Sequence, residues 1–144
     1  MKKMNNKGFS LIELIIVIAI MAVLVAIIAP NLTKYLGRSK KETDKKNLDE
    51  IKKQVKNVIS EAAIDDEQVI SGGSGTAYYY IKGSGTAITV TPATGATAAF
   101  ATKLQNVLDP DTATKSKVDN SKTGIWVEVN GAESTGFTVK AQFS

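Results

Sequence analysis

The side chains used most often in enzyme chemistry are missing from this sequence, which contains no histidine and no cysteine. Histidine is the commonest general base and cysteine the most nucleophilic side chain, so their absence argues against catalysis. Without cysteine, disulfides and thiolate metal sites are also excluded. We therefore expect a protein that is not an enzyme and that has no cofactor.

Three aspartates in the second half of the chain, Asp109, Asp111 and Asp119, are the remaining candidates for a metal site. Carboxylate oxygens are good calcium ligands, but the spacing of these three does not match a calcium-binding loop. A solvated loop bounded by Pro110 explains them more simply. We expect no metal site.

One carboxylate is unusual because of its surroundings. Glu13 lies in an apolar run that begins at Phe9 and ends at Ala29, and no residue after Glu13 in this run is charged. About 20 such residues suffice for a helix to cross the hydrocarbon core of a membrane. A carboxylate there costs about 2.5 to 3.5 kcal/mol at mid-bilayer and less near the edge, which makes Glu13 a candidate functional residue. The alternative is that Glu13 marks the membrane boundary.

The segment before this run is a short leader, residues 1–8, with lysines at 2, 3 and 7. It has no apolar stretch of its own, as a secretory signal would need. The end of the apolar run, Ile27 to Pro30, also fits ordinary signal cleavage poorly, because a large residue stands where a small one is required.

The eight residues 7–14, Lys-Gly-Phe-Ser-Leu-Ile-Glu-Leu, followed by a long apolar helix, resemble the class III leader junction of type IV pilins and of the related pseudopilins. The resemblance implies that a prepilin peptidase cuts between Gly8 and Phe9 and methylates the new amino terminus of Phe9. It also implies that Glu13 guides the addition of subunits to a filament.

Four segments follow along the chain. Residues 1–8 are the leader, 9–30 a transmembrane or filament-core helix, 31–63 an amphipathic continuation of that helix, and 64–144 a globular head. Pro30 removes one helix hydrogen bond and predicts a kink, after which the helix resumes. In the continuation, apolar residues at spacings of three and four predict one buried stripe, which comprises Leu48, Ile51, Val55, Val58, Ile59 and Ala62. The charged opposite face, with Asp44 among its residues, is expected to be solvated, and Asp49 to pair with Lys53 four residues later.

The head is predicted to hold a flexible connection over 65–77, strands over 78–81 and 87–91 joined as a hairpin, a helix over 96–108, and strands over 125–130 and 137–143. The helix stripe is expected to comprise Phe100, Leu104, Val107 and Leu108. Three consecutive tyrosines, 78–80, could serve adhesion or electron transfer, but a strand whose alternate rings face core and solvent explains them. The fold class is α+β, a pilin fold with a long amino-terminal helix packed on a small antiparallel sheet.

Charge gives little support to nucleic-acid binding. Lysine and arginine number 18 and acidic residues 14, and three of the lysines lie in the leader, so the rest of the chain has 15 positive and 14 negative side chains, or +1. Lysines flank the apolar run on both sides, so charge does not decide its orientation. The resemblance places the leader in the cytoplasm.

We interpret the chain as a structural subunit that polymerises with its own copies into a type IV pilus for adhesion, motility or aggregation. Its expected partners are a prepilin peptidase, the inner-membrane pilus assembly machinery and, before assembly, the cytoplasmic membrane, while the assembled pilus lies at the cell surface. One alternative is a pseudopilin of a type II secretion or competence apparatus. The other is a monomeric single-pass membrane-anchored binding module.

Replacing Gly8 by a bulky residue should leave only unprocessed protein and no filaments. Glycine lets the peptidase approach the backbone closely, and a side chain at this position would block that approach. The amino-terminal sequence and mass of the isolated protein measure processing directly. Normal fibres from such a variant would contradict the expected cleavage position.

Overall fold

The structure is a computed structural model that describes residues 9–83, 87–109 and 114–144. The elements in chain order are α1 (Leu11–Ile64), β1 (Ser74–Gly83), β2 (Ile88–Pro92), α2 (Ala98–Val107), β3 (Gly124–Ala132) and β4 (Gly136–Phe143). This composition confirms the α+β fold class, with a long amino-terminal helix and an antiparallel sheet. The chain divides into two compact units, one ending at Ser39 and the other comprising Lys40–Ser144.

The sheet has the strand order β2-β1-β3-β4, and every neighbouring pair is antiparallel. The pairing of the predicted hairpin is present as β1 with β2, and β3 pairs with β4 in the same antiparallel way. Strand β1 begins at Ser74, so the expected connection over 65–77 is shorter than predicted. Serine and glycine have low strand propensity, but Ser74 and Gly75 pair with Ala132 and Gly131 of β3, and this pairing overrides the local preference.

The outer edge of β2 is covered by α2. The amide of Val90 donates a hydrogen bond of 3.0 Å to the side-chain oxygen Oε1 of Gln105, a residue of α2. The helix itself starts at an N-cap, Thr97, whose side chain accepts from the amide of Phe100. A side chain thus takes the place of a neighbouring strand for one edge amide.

We call the second unit, Lys40–Ser144, the globular unit. Its core forms between one stripe of α1, the inner face of the sheet and α2. The predicted stripe on α1 is confirmed, with Leu48 partly buried and the other five residues buried. On α2, Phe100, Leu104 and Leu108 are buried as expected, but Val107 is 46% exposed. Ala101 is also buried, so the buried face of α2 is turned toward Ala101 and Leu108, and Val107 lies at its margin.

The tyrosines of β1 alternate as predicted. Tyr79 is fully buried and its ring lies 5.2 Å from that of Phe100, whereas Tyr78 is on the opposite face. The Tyr79 hydroxyl donates to the carbonyl of Val69 and accepts from the amide of Thr97 at 3.2 Å. Burial raises the pKa of Tyr79, which keeps the phenol protonated and able to donate.

Asp44 is buried, which corrects the expectation that it lies on a solvated helix face. Its carboxylate accepts hydrogen bonds from the Ser116 hydroxyl at 2.6 Å, the Lys117 amide at 2.6 Å and the Val118 amide at 3.2 Å. Ser116 in turn accepts from the amide of Asp119 at 3.0 Å. One carboxylate of α1 therefore holds the segment 116–119, which has no helix or strand of its own, against the helix.

These contacts favour the charged form of Asp44. Burial, the largest single influence, raises the pKa of the carboxyl, but the three hydrogen bonds and the Lys117 charge together outweigh it, so the pKa lies below its ordinary value. A carboxyl whose pKa is lower in the folded than in the unfolded chain stabilises the fold above its unfolded pKa of about 3.9. That contribution is lost as the pH falls through the folded pKa.

We expect Asp44→Ala to lower the free energy of unfolding by about 2 to 3 kcal/mol, because it leaves buried donors without an acceptor. Asp49→Ala is the matched control. Asp49 pairs with Lys52 at 2.9 Å rather than with Lys53 as predicted, and this solvent-exposed pair should contribute less than about 1 kcal/mol. Urea titration of the full chain in detergent, followed by tryptophan fluorescence, measures both. The two variants should differ at pH 7, and the difference should shrink as the pH falls below the unfolded pKa of about 3.9 and through the lower pKa of folded Asp44. Equal effects at pH 7 would contradict the anchoring role.

Candidate functional site

The first of the two units contains the apolar half of α1, by which we mean its residues 11–29. Its large side chains, from Leu11 to Ile28, are all exposed, and no part of its most apolar 18-residue window is buried in the chain. In length and composition this is the one helix among the described residues that could cross a membrane. The segment predicted as 9–30 therefore presents an apolar surface on all sides.

A hydrogen bond caps the amino-terminal end of this helix. Ser10 precedes the first helical residue, Leu11, and its backbone amide donates to Oε2 of Glu13 at 2.8 Å. Ser10 is the N-cap and Glu13 the third helical residue, so the pair has the spacing of a capping box. The pattern Ser-x-x-Glu before an apolar run is the sequence signature of this box, and residues 10–13 carry it.

Glu13 therefore has a local structural role in addition to its predicted role in assembly. Its charge lies in the first turn of α1, where the exposed amides of the helix favour an anion. Because the Ser10 amide donates to Oε2, the carboxylate of Glu13 is oriented toward the residues that precede the helix. The residue directly before Ser10 is Phe9, which is 86% exposed. Gly8, the other side of the predicted cleavage junction, lies outside the described residues.

Pro30 lies inside α1, and the helix continues through it to Ile64. Proline lacks the backbone N–H that would donate to the carbonyl of Ala26, so one backbone hydrogen bond of the helix is missing there. The Thr33 hydroxyl donates to the Pro30 carbonyl at 3.0 Å. The kink expected at Pro30 stays a prediction, and the missing hydrogen bond also predicts that the helix is looser there.

The residues after Pro30 change character. Asn31, Lys34, Tyr35 and Arg38 lie along one face of the helix and are exposed. Cationic and aromatic side chains directly beyond an apolar span are typical of the headgroup region of a membrane.

The aspartates considered as calcium ligands do not form a site in the described part of the chain. Asp119 accepts from the amide and the hydroxyl of Ser121, at 3.1 and 2.6 Å, and these bonds lower the pKa of its carboxyl. Residues 9–83, 87–109 and 114–144 hold no group of three metal-ligating side chains. Asp111 lies outside these ranges.

Comparison with known proteins identifies the same amino-terminal region. Residues 3–29 match the family described as the prokaryotic N-terminal methylation motif. The chain is 43% identical over 63 residues to the prepilin peptidase-dependent protein A of Clostridium perfringens. It is 46% identical over 57 residues to the type IV major pilin protein PilA of Myxococcus xanthus.

These similarities cover part of each protein. The aligned residues are 43% of this chain and 45% of the Clostridium protein, and 40% of this chain and 26% of the Myxococcus protein. The chain thus spans less than half the length of these curated relatives. No solved structure matches it significantly. The matched family consists of structural proteins and not of enzymes.

Amide hydrogen exchange in detergent micelles tests the role of Pro30. We expect residues 26–31 to exchange faster than residues 16–21, because the carbonyl of Ala26 has no amide donor. Pro30→Ala restores the donor and should slow this exchange on the order of tenfold. Thr33→Val is the control that removes only the hydroxyl contact and should change exchange little. Unchanged exchange in Pro30→Ala would contradict the loosening.

Proposed function

We propose that this chain, a protein of the type IV pilin and pseudopilin superfamily, is a structural subunit of a type IV pilus. The observation that carries the proposal is the apolar half of α1, which the chain leaves uncovered and which lies within the residues that match the methylation motif. Burying apolar surface contributes about 25 cal/mol per Å², so this segment requires an apolar environment. The membrane supplies it before assembly, and the helices of neighbouring copies supply it in the filament.

Processing prepares the chain for assembly. A prepilin peptidase cuts between Gly8 and Phe9 and methylates Phe9, after which the chain has a new α-amine one residue from the N-cap Ser10. An α-amine has a pKa of about 8, so it carries a positive charge at neutral pH. Methylation leaves the amine basic.

The new charge has a partner in Glu13. The carboxylate lies one helical turn from Phe9, and the capping bond already holds it toward the amino-terminal end of α1. It can pair with its own amine or with that of an adjacent copy. An unpaired carboxylate between apolar helices is expensive and a paired one is tolerated, so pairing fixes the axial register of subunits more than it adds stability.

The proposal also assigns a location to the precursor and a place in the filament to the globular unit. The precursor lies in the cytoplasmic membrane with its amino terminus in the cytoplasm, the inner-membrane assembly machinery moves it into the filament, and the globular unit forms the coat. The Clostridium and Myxococcus relatives, named as a prepilin peptidase-dependent protein and a major pilin, support the processing and the filament. Long surface fibres made of this chain would separate a pilin from a pseudopilin, which forms a short pseudopilus.

Glu13→Val and Glu13→Gln should leave membrane insertion and cleavage largely intact but reduce filaments about tenfold or more. Both variants lose the charge of Glu13. The loss of its pairing with the α-amine should cost at least about 1.4 kcal/mol of association free energy for each pair of subunits, which is a tenfold change. Glutamine can still cap Ser10, whereas valine cannot, so the two variants separate charge from capping. The measurement is processed protein in membranes and fibres sheared from cells, in parallel.

Three results are informative. Loss of fibres in both variants, with normal processing, supports pairing with the amine. Fibres from Glu13→Gln but not from Glu13→Val would show that capping alone matters. Wild-type fibres from Glu13→Val would show that the carboxylate is a membrane boundary residue and not an assembly guide.

A further inference from the structure

The outer face of the sheet carries a cleft of about 230 Å³ that assembly through α1 does not use. We call it the aromatic cleft, and it is lined by Tyr78, Trp126, Glu128, Lys140, Ala141 and Gln142. These residues come from β1, β3 and β4 and belong to the globular unit. The cleft is therefore built entirely from residues outside the apolar half of α1.

One cross-strand row builds an aromatic wall. Tyr80 lies opposite Trp126, and Trp126 lies opposite Gln142 on the next strand. The rings of Tyr80 and Trp126 are 4.9 Å apart at an angle of 43°. Tyr80 reaches across Gly124, where an added Cβ would lie 2.2 Å from the tyrosine hydroxyl, so only glycine leaves room for this ring. Tyr80 thereby holds the indole of Trp126 from one side, while Trp126 remains partly exposed.

The adjacent row adds a second ring and fixed polar groups. Tyr78, which is 37% exposed, lies opposite Glu128, and Glu128 lies opposite Lys140. The Lys140 ammonium is 3.0 Å from Oε1 of Glu128. This ion pair places an acceptor and a donor beside the rings without adding net charge.

The chemistry of the lining selects a class of ligand. Aromatic faces favour a flat apolar surface, while the Gln142 amide and the ion pair offer hydrogen-bond donors and acceptors together. An anion would meet Glu128, and a cation would meet Lys140. A purely apolar ligand would remove water from the ion pair and from the Gln142 amide without offering them new hydrogen bonds. A sugar ring has an apolar C–H face and hydroxyls that both donate and accept. We propose that the aromatic cleft binds a residue of a neutral oligosaccharide.

Trp126 makes the test specific, because it is the single tryptophan of the chain. The full-length protein, in a detergent without a sugar headgroup, is titrated with chitotriose, cellotriose, maltotriose and lactose while its fluorescence is recorded. We expect a saturable change of the Trp126 emission with at least one of these sugars. Each titration is repeated with urea-unfolded protein to remove solvent effects on the indole.

Tyr78→Ala and Gln142→Ala should weaken this binding about tenfold, because each removes one contact with the sugar ring. Thr89→Ala is the matched control, since Thr89 is exposed on the edge strand β2 and does not line the cleft. Near-UV circular dichroism establishes that each variant is folded. Glu128→Gln, which keeps the side-chain size, provides a second polar variant if Tyr78→Ala does not fold.

The proposal is overturned if none of the four sugars produces a saturable change in the folded protein. It is also overturned if Thr89→Ala weakens binding as much as Tyr78→Ala and Gln142→Ala do. A further contrary outcome is that Tyr78→Ala reduces self-association or fibre yield while no sugar binds, which would make the cleft a contact between copies of the chain.

Discussion

The apolar half of α1 needs an environment that the globular unit does not provide, since the described core is drawn from Leu48 onward. Lipid and a bundle of neighbouring helices are both apolar, so moving the segment from one to the other changes hydrophobic free energy little. In the proposed filament, close packing of the helices and their polar groups would therefore decide between the two environments. Glu13 is the charged residue of this segment, and its capping bond to Ser10 gives the carboxylate a defined direction within the single chain.

The globular unit ties its irregular segments to the core through buried polar side chains rather than through disulfides, because the chain has no cysteine. Asp44 holds the segment 116–119 against α1, and the hydroxyl of Tyr79 links the backbone at Val69 and Thr97. Such bonds stabilise modestly when made and cost more when one partner is removed. The order of these segments therefore depends on a few side chains.

Periodicity was sufficient to predict α1, its buried stripe, the four strands and the alternation of the tyrosines, because these patterns are local. It failed where contacts join distant residues. The partner of Asp44 is 72 residues away, and only the assembled fold removes this aspartate from solvent. Likewise Ser74 becomes a strand residue only because β3 lies beside it, and Val107 is exposed because α2 is turned toward Ala101. At the candidate site, Glu13 was identified from its membrane cost, while its capping role was readable in the sequence and overlooked.

The sheet order β2-β1-β3-β4 leaves two edges that could template unwanted pairing with another chain. At β2 the side chain of Gln105 occupies the Val90 amide, so an incoming strand would have to displace helix α2. Strand β4 pairs only with β3 in the described part of the chain, and Lys140 lies near its middle. A charged side chain there disfavours edge-to-edge aggregation. In the proposed filament, the globular units could therefore be packed at high local concentration with little tendency of their sheets to pair, and the helices would determine how copies associate.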